Sequence, residues 1–265
     1  MRSGLRTDFF APPGPRLIAH RGGAGVRPEN TLEAFSAAYR EGIRYFELDV
    51  HTSRDGVLVV CHDDDLRRTT DSTGAIRELN YTEITRADAG YRFQADGGYP
   101  FRGAGLRVPR LLDVLTLFDD AFFVIEIKQV APSLAAALNQ VLTATGTRRR
   151  VLIASEHQRP LDEIRALAPE LPTSFSGREI VGFFAAMMGA MAGYRIPADA
   201  LQIPPAHESM QLATSASVSA AHDLGLEMHA WTINEESEMR ALLELGTDGI
   251  ITDYPSRLRA IIAPS

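Results

Sequence analysis

Two short strings, "FELDV" and "VIEIK", carry charged side chains at alternate positions of apolar runs. Glu47 and Asp49 are two residues apart, so on a β-strand both leave the same face. Glu126 and Lys128 repeat that spacing further along the chain. Neighbouring carboxylates repel unless a cation or a shared proton relieves them. Three carboxylates from two adjacent strand ends make an oxygen-rich site suited to Ca²⁺ or Mg²⁺. Structural ion pairs of Glu47 and Glu126 with Lys128 and Arg44 would use the same residues, and spacing alone leaves both readings open.

Two histidines lie close to these runs. His20 ends the apolar segment "RLIAH" and precedes Arg21, Gly22 and Gly23, where the glycines allow a tight turn. His62 ends "VLVVCH". Imidazole changes charge near neutrality and serves as acid or base, whereas a lone histidine is more often a hydrogen-bonded structural residue. His51 either touches the acidic cluster or packs on its own hairpin. His229, two residues before Trp231, either meets substrate or fills the interior. His157, His207 and His222 read as loop or helix-surface residues. Cys61 alternates away from His62, which argues against a thiol nucleophile, and the chain has neither a G-x-S-x-G elbow nor a P-loop.

The elements that must position these groups follow from the hydrophobic pattern. Strands are predicted at 16–20, 44–51, 122–128, 151–155, 172–176, 200–204, 227–233 and 249–253. Helices are predicted at 30–41, 109–119, 132–145, 160–168, 178–191, 214–224, 235–245 and 255–262. The first has Asn30 as N-cap, with Leu32, Phe35 and Tyr39 on one face; the second opens at Pro109 and buries Leu112, Leu115 and Phe118. Eight strand–helix alternations match an α/β fold of the (β/α)8 TIM-barrel type, with an open doubly wound sheet as the alternative. Residues 57–62 break the pattern. They return after "RDG", too short a link for a parallel crossover, so they form a β-hairpin with the second strand. A two-residue turn sets Asp49 opposite His62; a three-residue loop with a bulge at Gly56 slips the pairing by one position. Residues 64–108 are an irregular insertion after the second strand, the kind of segment that forms a lid or a substrate-facing wall.

The chain has 265 residues, 45% apolar content and a net charge of -7. This suits a single barrel domain over 1–265 and argues against a nucleic-acid partner, since "TRRR" at 147–150 is the strongest basic run. One cysteine excludes an internal disulfide and suits a reducing compartment. The N-terminus lacks a signal-peptide core, and the apolar stretch at 180–193 is too short to span a bilayer. A cytoplasmic protein without stable membrane insertion is expected. The stretch at 180–193 is read as a helix packed on the barrel rather than a groove for a lipid tail.

Taken in order, "AHRGGAG…PENTLEAF", "FELDV", "DGVLVVCHDD", "IEIK", "AWTIN" and "GTDGIITDYP" resemble the glycerophosphodiester phosphodiesterases over residues 16–258. The resemblance implies a metal-dependent TIM barrel of the phosphatidylinositol phospholipase C-like kind. By that resemblance it would hydrolyse small-molecule glycerophosphodiesters to glycerol 3-phosphate and an alcohol. It implies His20 and His62 as the general acid–base pair and Glu47, Asp49 and Glu126 as ligands of one divalent cation, Ca²⁺ or Mg²⁺. By the same resemblance Arg21 and Lys128 would contact the phosphate, and Trp231 would line the glycerol end of the pocket. Glu29 and Asn30 brace the first loop. A lysophospholipase D or related phospholipase is the nearest alternative; a catalytically silent barrel that binds a polyol phosphate is the alternative from another class. Water and the glycerol 2-hydroxyl are both open as nucleophile.

Overall fold

The computed structural model describes residues 7–189 and 193–263. Its strands are β1 (Arg16–Ala19), β2 (Tyr45–Thr52), β3 (Leu58–Val60), β4 (Phe122–Ile127), β5 (Val151–Ala154), β6 (Ala200–Ile203), β7 (Ala206–His207), β8 (Met210–Gln211), β9 (Glu227–Ala230) and β10 (Gly249–Thr252). The main sheet runs β5-β4-β2-β1-β10-β9-β6, all in parallel, with β3 antiparallel to β2. Between β5 and β6 the predicted strand at 172–176 makes only single bridges, Ile153 to Thr173 and Ser174 to Ala200. The amides of Ser174 and Phe175 bond the carbonyls of Ile153 (2.8 Å) and Ala200 (3.0 Å), so this segment closes the ring. Pro172 has no N–H to extend a ladder there.

Strand periodicity sorts the inward side chains into layers. On β2 the inward row is Tyr45, Glu47, Asp49 and His51. On β4 and its end it is Phe122, Val124, Glu126 and Lys128; on β1 it is Arg16 and Ile18, followed by His20. The middle layer is apolar, with Ile18, Val124, Leu152, Ala200 and Ile251 buried together under Phe9. Outward strand residues such as Phe46, Leu48, Phe123 and Ile125 pack against the helices, among them Phe35 and Leu115. Each such buried side chain contributes about 1.5–3 kcal/mol, so this outer layer dominates the stability of the barrel.

Helix positions follow the hydrophobic pattern, with corrections at the ends. The first helix is Leu32–Arg40, and its N-cap is Thr31, whose hydroxyl accepts from the Ala34 amide. Asn30 instead takes a left-handed conformation, φ 56°, and is used elsewhere. The next predicted helix is Leu111–Leu117, with Pro109 outside it. Pro109 offers its carbonyl to the Val60 amide, and Leu112 is exposed while Leu111 and Val114 are buried. The apolar helix is Gly177–Met188, and residues 190–192 of the predicted stretch lie outside the described residues. Phe183 is fully buried against the barrel, while Val181 and Met188 are exposed. Among the described residues no helix is long and apolar enough to cross a membrane.

The hairpin takes the slipped register. Thr52 pairs with Leu58, and Gly56 has φ 80°, as the three-residue loop requires. The Cys61 amide therefore bonds the Asp49 carbonyl at 3.0 Å, and His62 lies one residue beyond. Residues 64–108 are not a loose loop. Leu66, Ile76, Ile84, Ala87 and Val108 form a small core with Val59 and Cys61.

Candidate active site

The acidic cluster forms as the strand spacing requires. Asp49 on β2 is in register with Glu126 on β4, and oxygen atoms of Glu47, Asp49 and Glu126 lie within 4.8 Å of one another. Burial, and then the charges of Asp49 and Glu126, push the Glu47 carboxyl well up from its ordinary value. Glu126 is also pushed up, by burial and by Asp49, against the pull of Lys128. Asp49 is 1% exposed, yet its Oδ1 has no hydrogen-bond partner among the described residues. A buried, unpartnered carboxylate oxygen facing two more carboxylates is costly without a cation. The three side chains therefore fit a hard divalent ion. Lys128 Nζ lies 3.1 Å from Glu126 Oε1 and 3.9 Å from Asp49 Oδ1, at the edge of the cluster. Arg44 is absent from it and pairs with Asp120 outside the barrel.

Each histidine is held by a carboxylate, and His20 also approaches the acidic cluster directly. His20 follows β1, with Nδ1 2.7 Å from Asp253 Oδ1 and Nε2 3.9 Å from Glu47 Oε2. Asn234 donates to the other Asp253 oxygen at 2.8 Å and accepts from the Asp253 amide at 3.0 Å. Burial works upward on Asp253, but the bonds from His20 and Asn234 outweigh it and hold the carboxyl below its usual range. A carboxylate accepts, so Nδ1 of His20 donates to Asp253 and Nε2 is left facing the cluster. His62 repeats the arrangement, with Nδ1 2.7 Å from Asp63 Oδ1. His62 is close enough to Glu126 to draw its carboxyl downward. His51 supports the hairpin rather than the cluster. Its Nε2 lies 3.1 Å from the His62 carbonyl, and burial holds the imidazole below its ordinary value.

Arg21 sits in a left-handed turn, φ 50°, a costly conformation that aims its backbone N–H at Glu47 Oε2 (3.0 Å). Gly22 makes the turn possible, because a Cβ there would fall 2.9 Å from Ala34 Cβ and the Phe35 amide. The Arg21 guanidinium reaches Glu29 (2.9 Å) and Asp49 (3.3 Å). Asn30, in its left-handed conformation, donates to Asp49 Oδ2 at 2.9 Å. Arg68 of the insertion completes the frame. Its Nη atoms take both oxygens of Glu29 at 2.7 Å, and its Nε takes Asp63 Oδ2 at 2.6 Å.

The remaining candidates separate cleanly. Trp231 is 43% exposed at the end of β9, on the rim. His229 is fully buried at the opposite end, bonded to Glu227 (3.0 Å) and near Gln202 (3.3 Å), so it fills the barrel. Arg16 clamps Glu227 through Nε at 2.6 Å and gives Nη1 to the Tyr45 hydroxyl at 2.9 Å. Burial pushes the Cys61 thiol up to about 12, which removes it from nucleophilic chemistry near neutrality. Asp253, Asp63 and Arg68 are site residues that spacing did not reveal.

Comparison with known proteins agrees with this geometry. The model of the "Glycerophosphoryl diester phosphodiesterase family" matches residues 20–257. The chain belongs to that family. A glycerophosphodiester phosphodiesterase of Caldanaerobacter subterraneus subsp. tengcongensis is 32% identical to this member over 247 residues, covering 91% of this chain and 95% of the relative. A solved glycerophosphodiester phosphodiesterase from Agrobacterium tumefaciens superposes with a TM-score of 0.77 at 27% identity, covering 93% of this chain and 100% of that one. An Oleispira antarctica phosphodiesterase, solved with the product sn-glycerol-3-phosphate, gives a TM-score of 0.75 at 27% identity, covering 94% and 96%. Among solved members of the glycerophosphodiester phosphodiesterase family the barrel is thus shared along nearly the whole chain.

Proposed function

We propose that this family member hydrolyses small glycerophosphodiesters to glycerol 3-phosphate and an alcohol, with His20 and His62 exchanging the protons. The observation that carries the reading is the pair of imidazoles, each tied through Nδ1 to a carboxylate, beside the cluster of Glu47, Asp49 and Glu126. The product held by the Oleispira antarctica relative supports the substrate class.

A phosphodiester anion repels a nucleophile and releases a poor alkoxide. The site must therefore offset negative charge and deliver a proton. Glu47, Asp49 and Glu126 would hold one divalent cation, Ca²⁺ or Mg²⁺, which when bound supplies positive charge beside a phosphate oxygen. Lys128 and Arg21 supply charge from the protein side. The Nε2 atom of one histidine takes the proton of the attacking water, or of the glycerol 2-hydroxyl ahead of a second step in which water opens the cyclic phosphate; the Nε2 atom of the other, protonated, gives one to the leaving oxygen. Each transfer contributes about 10²–10⁴-fold. Trp231 offers its exposed face to the glycerol carbons at the rim.

The test is release of glycerol 3-phosphate from glycerophosphocholine by the purified protein, with His20→Ala and His62→Ala alongside. Folded variants without turnover are the expected result; a near-wild-type rate in either rejects the assignment. Turnover of lysophosphatidylcholine well above that of glycerophosphocholine would favour the lysophospholipase D reading instead.

A further inference from the structure

Between the loop after β1 and the insertion lies a cleft of about 360 Å³, within the range of small-ligand sites. Gly25 and Glu29 line it from the loop that carries Arg21, Arg68, Arg92 and Phe93 from the insertion, and Tyr254 from the end of β10. Gly25 is required here, since a Cβ would fall 2.5 Å from the Tyr254 ring. Glu29 contacts Arg21, and Arg68 contacts the carboxylate that holds His62. The cleft and the reaction centre therefore share a wall of ion pairs. A diester whose phosphate lies at Arg21 would direct one of its two arms past that wall.

The charges of the cleft do not cancel. Arg68 is matched by Glu29 and Asp63. Arg92 gives its Nε to the Thr70 carbonyl at 2.9 Å, and among the described residues no carboxylate pairs with its guanidinium. Its charge faces a polar cleft next to Phe93. A cationic arm such as choline meets the like charge of Arg92 there, while an anionic arm gains a charge-assisted hydrogen bond from it. We propose that this cleft seats the alcohol half of the diester and that Arg92 makes the enzyme favour alcohols that carry an anionic group. The proposal rests on the hydrolytic reading above and adds a substrate preference to it.

The experiment compares kcat/KM for glycerophosphoinositol and glycerophosphoinositol 4-phosphate, which differ by one anionic group, with glycerophosphocholine as a reference. Wild-type protein is expected to favour the phosphorylated substrate by about two- to fivefold, the modest scale of an exposed charge pair. Arg92→Gln should bring that ratio to about one, a change that a loss of fold or of catalysis would not produce, because both inositol substrates share the same reacting phosphate. No preference in the wild type, or the same preference in Arg92→Gln, overturns the proposal. Calorimetric binding of glycerophosphoinositol 4-phosphate, measured in the His20→Ala background with and without Arg92→Gln, judges the cleft independently of turnover. Weaker binding without Arg92 supports it, and equal binding overturns it. Failure of the wild type to cleave any diester would instead refute the hydrolytic reading.

Discussion

Nδ1 of His20 lies 2.7 Å from Oδ1 of Asp253, which comes from the last strand while the histidine follows the first. The parallel pairing of β1 with β10 brings these two strand ends together, with Ala19 in register with Thr252. Asn234 donates to the far oxygen of Asp253, which holds the carboxylate in place to accept the Nδ1–H bond of His20. Asp253→Asn introduces an amide that can present N–H to Nδ1 and so favour the wrong tautomer. The expected outcome is a folded protein whose kcat falls by about 10²–10⁴-fold with KM little changed. A kcat within threefold of wild type would remove Asp253 from the reaction.

Arg68 joins the two halves of the site. One guanidinium holds Glu29, which holds Arg21, and also holds Asp63, which holds His62. The fork of N–H groups fits this geometry, and an ammonium cannot satisfy three carboxylate oxygens in the same plane. Arg68→Gln is expected to lower kcat/KM by about 10–100-fold, the scale for groups that orient a reacting residue, and Arg68→Lys should recover little of it. Full recovery by lysine would show that charge alone matters.

How far the site could be read from sequence depends on whether a residue's place follows from strand period or from a loop path. Glu47, Asp49, Glu126 and Lys128 were legible because alternation on β2 and β4 dictates a common face, and His20 because a barrel exposes its strand ends. Asp63 and Asp253 were not, since an aspartate beside a turn looks like any other until its partner strand is known. Arg68 lies in a segment without periodicity. The hairpin register turned on whether Gly56 formed a two- or three-residue loop, which a single "DG" permits either way. Asn30 read as a helix cap because its residue type favours caps. The barrel instead uses its tolerance of positive φ to direct an amide onto Asp49.

The floor of the barrel offers a stability test away from the chemistry. Burial works upward on Glu227, but His229 and Arg16 outweigh it and hold its carboxyl below the ordinary range. A depressed carboxyl stabilises the folded state above the ordinary glutamate value near about 4.3 and loses that contribution as pH falls through the depressed value. Glu227→Gln leaves Arg16 without its countercharge, at a cost of about 2–4 kcal/mol near pH 7. Denaturant melts should show the gap between wild type and variant widest at neutral pH and closing below about pH 4. A gap that is constant with pH would mean that Glu227 acts through packing rather than charge.

Removing the cation tests the acidic cluster through stability as well as rate. In metal-free protein the carboxylates of Glu47, Asp49 and Glu126 oppose one another, and Asp49 Oδ1 has no hydrogen bond among the described residues, with Lys128 Nζ 3.9 Å away. A divalent ion that binds only the folded chain adds about 2.7 kcal/mol at one hundred times its Kd. For a chain of this size that corresponds to a rise in Tm of about 5–10 °C. Ca²⁺ or Mg²⁺ should therefore raise the Tm of chelator-treated protein and restore diester turnover together. Asp49→Asn removes the charge at the centre of the cluster, so the thermal shift should shrink to a degree or two even where the fold is intact. The most informative result is the metal-free Tm of that variant. Relief of carboxylate repulsion should leave it at or above the metal-free wild type, whereas a structural ion pair with Arg21 and Lys128 would make it lower. Full turnover in chelator, with a Tm indifferent to divalent ions, would return the three carboxylates to the structural role that their spacing also allows.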